Sequence, residues 1–142
     1  MSTPSETPKA QNGLRTHAIF MIFALVIQYT LGMIANMFVQ FPDTTRPDLL
    51  WTAARSQFPT LAHIIVGTAL LVGAIVFVVR AARQNNRLWI VSSVAGLISI
   101  LAAIFGGTQF VTSQVDAYSL VMALATILAF LSYGWGLYAS RR

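Results

Sequence analysis

Four long apolar runs constrain this chain more than any other feature of its sequence. They cover approximately residues 17–41, 60–79, 88–111 and 117–138. Each run has about the 20 residues that a helix needs to cross a hydrocarbon core about 30 Å thick. Barrel strands would instead be segments of about 10 residues that alternate between apolar and polar. The sequence therefore predicts an all-α fold, in which residues 14–142 form a transmembrane four-helix bundle.

The composition agrees with a membrane protein and excludes several other classes. Hydrophobic residues make up 56% of the chain and charged residues only 9%, whereas soluble domains have about 25% charged residues. The chain has no cysteine, so it can form no disulfide, thiolate nucleophile or thiolate metal site. The net charge of +5 comes from basic residues at the ends of apolar runs, which is a membrane pattern. We therefore expect the lipid bilayer as a partner, and no nucleic acid.

Basic residues fall mainly on one side of the four predicted spans. Seven of the nine Lys and Arg residues precede the first run, separate the second and third runs, or end the chain, whereas only Arg46 and Arg55 lie on the other side. Because cytoplasmic connections are enriched in basic residues, the pattern predicts that both termini and the connection between the second and third spans are cytoplasmic. Residues 1–13 have no apolar period and are predicted to form a disordered cytoplasmic tail.

The outer connection between the first two spans, residues 42–59, is the only long one. Thr45 and Asp48 have the spacing of a helix-capping box. Apolar residues at helical spacing follow them: Leu50, Trp51, Ala54 and Phe58. We predict a short interfacial helix whose apolar stripe faces either lipid or the bundle mouth. A lid that tethers two spans is favoured over a substrate gate.

Polar and small residues within the spans predict where helices touch. Small residues in a row allow two helix backbones to approach closely, and amide side chains in hydrocarbon form interhelical hydrogen bonds of about 0.6–2 kcal/mol. The expected packing residues are Gln28, Gly32, Gly67, Ser92, Gly96, Ser99, Ala103 and Gly107. The row on the third span predicts the tightest contact of the bundle.

A second group of polar residues is expected to share the outer third of the membrane. Its members are Asn36, Gln40, His63, Gln109, Asp116 and Ser119. An ionisable group inside a membrane is a candidate functional residue, although His63 and Asp116 could instead only cap helices near the interface. His17 opens the first span on the opposite side, so the two histidines cannot ligate one haem iron together.

Soluble-type chemistry has no support in the sequence. No Asp, Glu, Lys or Arg lies in the middle of a span, which disfavours ion-coupled transport. Nucleotide-binding, zinc-protease and nucleophile-elbow motifs are also missing from the sequence. We therefore do not favour an enzyme, and we expect no metal site or cofactor.

Several short motifs resemble a known group of proteins. They are Gln28-x-x-x-Gly32-x-x-x-Asn36, Pro42, Ala62-His63 with Gly67, Phe105-Gly106-Gly107-Thr108-Gln109-Phe110 and Ser119-Leu-Val-Met-Ala. Together they resemble bacterial four-helix membrane proteins of unassigned function, over residues 17–138. That group has Asn where this chain has Gly106. The position of His63 is also similar to half of a haem A synthase or a cytochrome b561-like bundle, which use pairs of histidines at one depth.

Two functional hypotheses follow from these patterns. The first is a membrane-embedded packing or interaction module that contacts a second copy or another membrane protein through its small residues. The alternative is a redox protein that handles haem or a quinone through the outer cluster around His63. For that alternative the resemblance implies haem as the cofactor, although only His63 lies at the required depth.

Overall fold

The structure, a computed structural model, describes residues 8–141. Within this range the chain forms five helices and no strand. They are α1 (Pro8–Phe38), α2 (Pro47–Ser56), α3 (Phe58–Arg83), α4 (Arg87–Ser113) and α5 (Asp116–Ala139). The helices α1, α3, α4 and α5 are long and apolar enough to span a membrane. The predicted all-α four-helix fold is thus confirmed, and a short helix lies between the first two spans.

Helix α1 begins earlier than the sequence predicts. It starts at Pro8 rather than near residue 17 and so includes residues 8–13 of the predicted disordered tail, whereas residues 1–7 lie outside the described range. Leu14, Ala18 and Met21 are buried in the bundle core, which fixes the helical conformation there. Extending an existing helix is much easier than starting one, and proline is tolerated in the first turn.

Helix α2 lies where a short helix was predicted, but the predicted capping box is wrong. Arg46 is the N-cap, and no side chain caps the helix. The hydroxyl of Thr44 accepts a hydrogen bond from the Arg46 backbone N–H at 3.2 Å, and Asp48 forms an ion pair with Arg46 at 2.6 Å. Leu50 and Ala54 are buried, so the apolar stripe of α2 faces the bundle.

The four long helices form a closed ring in the order α1, α3, α4, α5. The short α3–α4 and α4–α5 connections make these helices antiparallel. Helices α1 and α3 are also antiparallel, because Gln28 contacts His63 whereas His17 contacts Gly73. One end of the ring carries the arginines of the α3–α4 connection and the C-terminus, and we call it the basic end. The other end carries α2, which packs on α3 and α4, and we call it the α2 end.

The hydrophobic core lies mainly in the half of the bundle near the basic end. Phe77 of α3 stacks on Tyr133 of α5, with ring centroids 5.6 Å apart, and contacts Trp89 of α4 at 5.7 Å. All three aromatic side chains are completely buried. Large rings therefore fill this half of the bundle and join α3, α4 and α5.

Helices α4 and α5 form the most extensive contact of the bundle. A Cβ atom at Gly106 would lie 2.9 Å from both the Met122 nitrogen and the Tyr118 carbonyl oxygen. A Cβ atom at Gly96 would lie 2.6 Å from the Tyr133 hydroxyl oxygen. Glycine is therefore needed at both positions for the two helices to approach this closely.

Candidate functional site

A cavity of about 620 Å³ occupies the half of the bundle near the α2 end. Leu25, Leu70 and Ile100 lie deepest, at the boundary with the packed core, while Phe41 and Trp51 line the cavity near the α2 end. This volume falls within the range of about 300–1,000 Å³ that is typical of small-molecule sites. Because packed interiors contain few voids larger than one water molecule, the cavity is a distinct feature of this half.

The cavity lies between two helix pairs. Near the α2 end, α1 is joined to α3 by the side chains of Gln28 and His63, and α4 is joined to α5 at Gly106. Contacts that bridge the two pairs there come from the connecting segments. Phe41 meets Phe110 edge to face at 6.2 Å, and the Trp51 indole N–H of α2 donates to the Thr112 hydroxyl at 3.3 Å.

His63 and Gln28 form a polar pair in the cavity wall. The Gln28 side-chain amide donates to His63 Nε2 at 3.0 Å, and His63 Nδ1 donates to the Gln28 backbone carbonyl at 3.1 Å. These two bonds fit the neutral imidazole that carries its proton on Nδ1. Both ring nitrogens therefore have partners, as polar groups inside a membrane require.

Two glycines make room for this pair. A Cβ atom at Gly32 would lie 2.9 Å from His63 Cε1, and a Cβ atom at Gly67 would lie 3.0 Å from Gln28 Nε2. The packing residues predicted on α1 and α3 therefore surround the histidine that was predicted as a candidate functional residue. Both groups of residues belong to one structural unit.

The predicted outer cluster is only partly brought together. Asn36, His63 and Ser119 line the cavity. The other three predicted members, Gln40, Gln109 and Asp116, are not among its lining residues. The carbonyl oxygen of Gln40 accepts a hydrogen bond from the Gln57 side chain at 3.1 Å, and Asp116 is exposed at the start of α5.

The register of α1 against α3 explains this difference. From their expected common depth, we predicted that at least one of Asn36, Gln109, Asp116 and Ser119 bonds to His63, directly or through one water. The direct partner of His63 among the described residues is instead Gln28. Asn36 lies eight residues beyond Gln28, about 12 Å along the helix. Helix α1 thus continues well past the depth of His63, and α2 occupies the space above the start of α3.

The remaining predicted packing residues take different positions. Ser92 donates to the Ser132 carbonyl of α5 at 2.6 Å, and Gly107 lies close to the sulfur of Met122. The Ser99 hydroxyl instead bonds within α4, to the Ala95 carbonyl at 2.9 Å. Ala103 lines the cavity.

Three polar residues of the cavity were not identified from the sequence: Thr60, Thr68 and Gln114. The threonines occur singly in apolar runs, so no spacing identified them. Gln114 could have been found, because it interrupts the apolar pattern. It ends α4 in a left-handed conformation with φ 55°, and its amide donates to the carbonyls of Phe110 and Val111.

The cavity wall carries no formal charge. Among the described residues that line it, there is no Asp, Glu, Lys or Arg. No three His, Asp or Glu side chains within residues 12–141 cluster closely enough to hold a metal ion. The polar groups that a bound molecule would meet are therefore amides, hydroxyls and the neutral imidazole.

His17 lies in the packed half, away from the cavity. Its Nε2 donates to the Gly73 carbonyl at 3.2 Å, and its Nδ1 accepts from Arg80 at 3.2 Å. The ring also stacks on Phe77 with centroids 4.6 Å apart. Gly73 is ten residues from His63 on α3, about 15 Å along the helix, so the two histidines belong to different sites.

Comparison with known proteins identifies no relative. No protein-family model, curated protein or solved structure matches the chain. The resemblance to bacterial four-helix proteins therefore stays a prediction from the motifs, and functional inference rests on the geometry of the cavity.

Proposed function

We propose that this protein binds a lipid-soluble small molecule in the cavity between the two helix pairs. One observation carries the proposal: a cavity of about 620 Å³ has an apolar floor and a polar pair, His63 and Gln28, in its wall. Small-molecule sites commonly combine a mainly apolar lining with a few polar groups that fix orientation.

Of the redox ligands considered from the sequence, a quinone fits this wall better than haem. Both nitrogens of His63 are engaged, so Gln28 would have to move before Nε2 could ligate iron. A quinone needs only hydrogen-bonding groups and an apolar ring pocket. The absorption spectrum of the purified protein separates the two, because only bound haem gives a Soret band.

A packing or interaction module is the competing proposal, and one observation supports it. A Cβ atom at Gly134 of α5 would meet nothing within 4 Å, so a second helix could approach closely there. Packing alone does not explain why the aromatic core stops halfway along the bundle. We therefore place ligand binding first, and a second copy or another membrane protein remains a proposed partner.

Decylubiquinone provides a direct test of ligand binding, because quinones quench tryptophan fluorescence and Trp51 lines the cavity. The Trp51 contribution is the quenching of the parent minus the quenching of the Trp51→Phe variant, and this difference reports on the cavity. Ala103→Phe places a ring in the cavity and should abolish this difference. The matched control is Ala69→Phe, which changes an exposed residue of α3 outside the cavity lining. Equal quenching in Ala103→Phe and the parent would contradict the proposal.

We also propose that both termini face the cytoplasm of a bacterial plasma membrane. The basic end carries Arg80, Arg83 and Arg87, whereas the α2 end carries only Arg46 and Arg55. This asymmetry follows the positive-inside rule. The cavity would then face the outer leaflet.

A further inference from the structure

We infer that the ligand is an uncharged amphiphile that enters the cavity sideways from the α2-side leaflet, between α1 and α5 at the exposed Asn36. This inference rests on the proposed ligand-binding function and adds the charge of the ligand and its route. The ligand would carry a hydroxyl or carbonyl head group and an apolar chain or ring.

The end of the bundle is partly covered, which disfavours access from water along the bundle axis. Phe41 and Trp51 line the cavity there, and each is held against α4, by Phe110 and Thr112 respectively. Helix α2 buries Leu50 against the bundle. Because α2 packs on α3 and α4, this cover lies over one side of the ring.

The exposed residues of the cavity lining show on which sides of the bundle a molecule could enter the cavity. Of the described lining residues, only Asn36 and Thr68 are exposed. Asn36 lies about 80° around α1 from Gln28, which contacts α3, and on the same side as the buried Leu25. Because α5 is the other neighbour of α1 in the ring, we assign Asn36 to the α5 side. Thr68 lies on the opposite side of the cavity, toward α4, about 140° around α3 from His63.

Entry between α1 and α5, at Asn36, suits an amphiphile better than entry between α3 and α4, at Thr68. Asn36 lies within one turn of the α2 end of α1, and Ser119 lies in the first turn of α5, so both are near head-group depth. Helix α2 packs across α3 and α4, and its main contacts do not cover the side between α1 and α5. Thr68 lies deeper in its helix, where a polar head group would be poorly solvated.

The lining determines the charge that the ligand can carry. The Asn36 amide and the Ser119 hydroxyl, both near the α2 end, can bond a hydroxyl or carbonyl. The described wall offers no countercharge. An ion in such a site loses hydration without gaining a partner, so charged head groups should be rejected.

Matched single-chain probes in phosphatidylcholine vesicles test the charge. The neutral probe is a monoacylglycerol with a dibrominated stearoyl chain. The charged probes are the corresponding fatty acid, ionised at pH 9, and the corresponding alkylammonium. Bromine quenches nearby tryptophan, and the part of the quenching that disappears in Trp51→Phe reports on the cavity. We expect the neutral probe to bind at least about tenfold more tightly than either charged probe.

Matched ring substitutions at the two exposed lining residues test the route. After rapid mixing with vesicles that carry the neutral probe, Asn36→Phe should slow the onset of Trp51 quenching several-fold, whereas Thr68→Phe should leave its rate unchanged. The reverse result would overturn the route. Equal binding of charged and neutral probes to the parent would overturn the assigned charge, and this comparison needs no variant. If neither decylubiquinone nor any chain probe quenches Trp51, the proposed function itself fails.

Discussion

The hydrogen bonds between Gln28 and His63 allow a quantitative prediction about the stability of the bundle. Gln28→Met removes the bond between the two side chains and leaves His63 Nε2 without a partner. His63→Leu removes this bond and also the bond to the Gln28 carbonyl. The double substitution leaves no polar group of the pair unpaired. The two changes should therefore be less damaging together than their separate effects suggest.

The size of this coupling follows from the surroundings of the pair. Interhelical hydrogen bonds in membranes contribute about 0.6 kcal/mol on average and up to about 1.7 kcal/mol. Leaving one partner buried and unpaired adds about 1–3 kcal/mol to a single substitution. Gly32 and Gly67 hold both side chains in close contact, which limits their freedom to find other partners. We expect a coupling energy of about 1 kcal/mol.

The assay is the free energy of unfolding in mixed lipid–detergent micelles, measured for the parent, both single variants and the double variant. The control cycle combines Gln28→Met with Ser92→Ala. Ser92 bonds to the Ser132 carbonyl of the other helix pair, so these two effects should add to within about 0.5 kcal/mol. A coupling between Gln28 and His63 below about 0.3 kcal/mol would refute the reasoning.

Two further predictions concern packing and topology. Gly96→Leu should destabilise the bundle by about 1–3 kcal/mol, because Tyr133 leaves no space for a side chain at this position. The control is Ile98→Leu, which changes an exposed side chain and should be tolerated. Equal thermal stability of the two variants in detergent would contradict the close contact. On whole cells, an impermeant thiol reagent should label Ser56→Cys but not Ser140→Cys, and the opposite pattern would reverse the proposed orientation.

The fold was largely predictable because each span must form the hydrogen bonds of its own backbone groups. In a membrane a continuous helix pairs its N–H and C=O groups within one segment, whereas a barrel strand needs neighbouring strands, so an apolar run of sufficient length defines its own structure. The helix ends were less predictable. Helix α1 extends to Pro8 because buried residues farther along start the helix, and a local reading of the polar tail could not show this.

The site was less predictable than the fold because it depends on how far one helix slides past another. The prediction placed Asn36 level with His63 by counting from the helix ends. The structure pairs His63 with Gln28 instead, since α1 continues beyond the start of α3. The spacing of Gln28, Gly32 and Gly67 contained the needed signal, because a polar side chain opposite a glycine favours one register.

The position of the cavity follows from the side chains that face the bundle axis. In the basic half, Phe77, Trp89 and Tyr133 fill the space between the helix pairs. In the α2 half, small residues such as Ala103 and Gly107 face the same space. Hydrogen bonds hold α1 against α3, and close backbone contact holds α4 against α5. Both helix pairs are therefore stable without side chains that fill the space between the pairs. The cavity is therefore a consequence of where the sequence places large and small side chains, and a ring introduced at Ala103 should fill it without separating either pair.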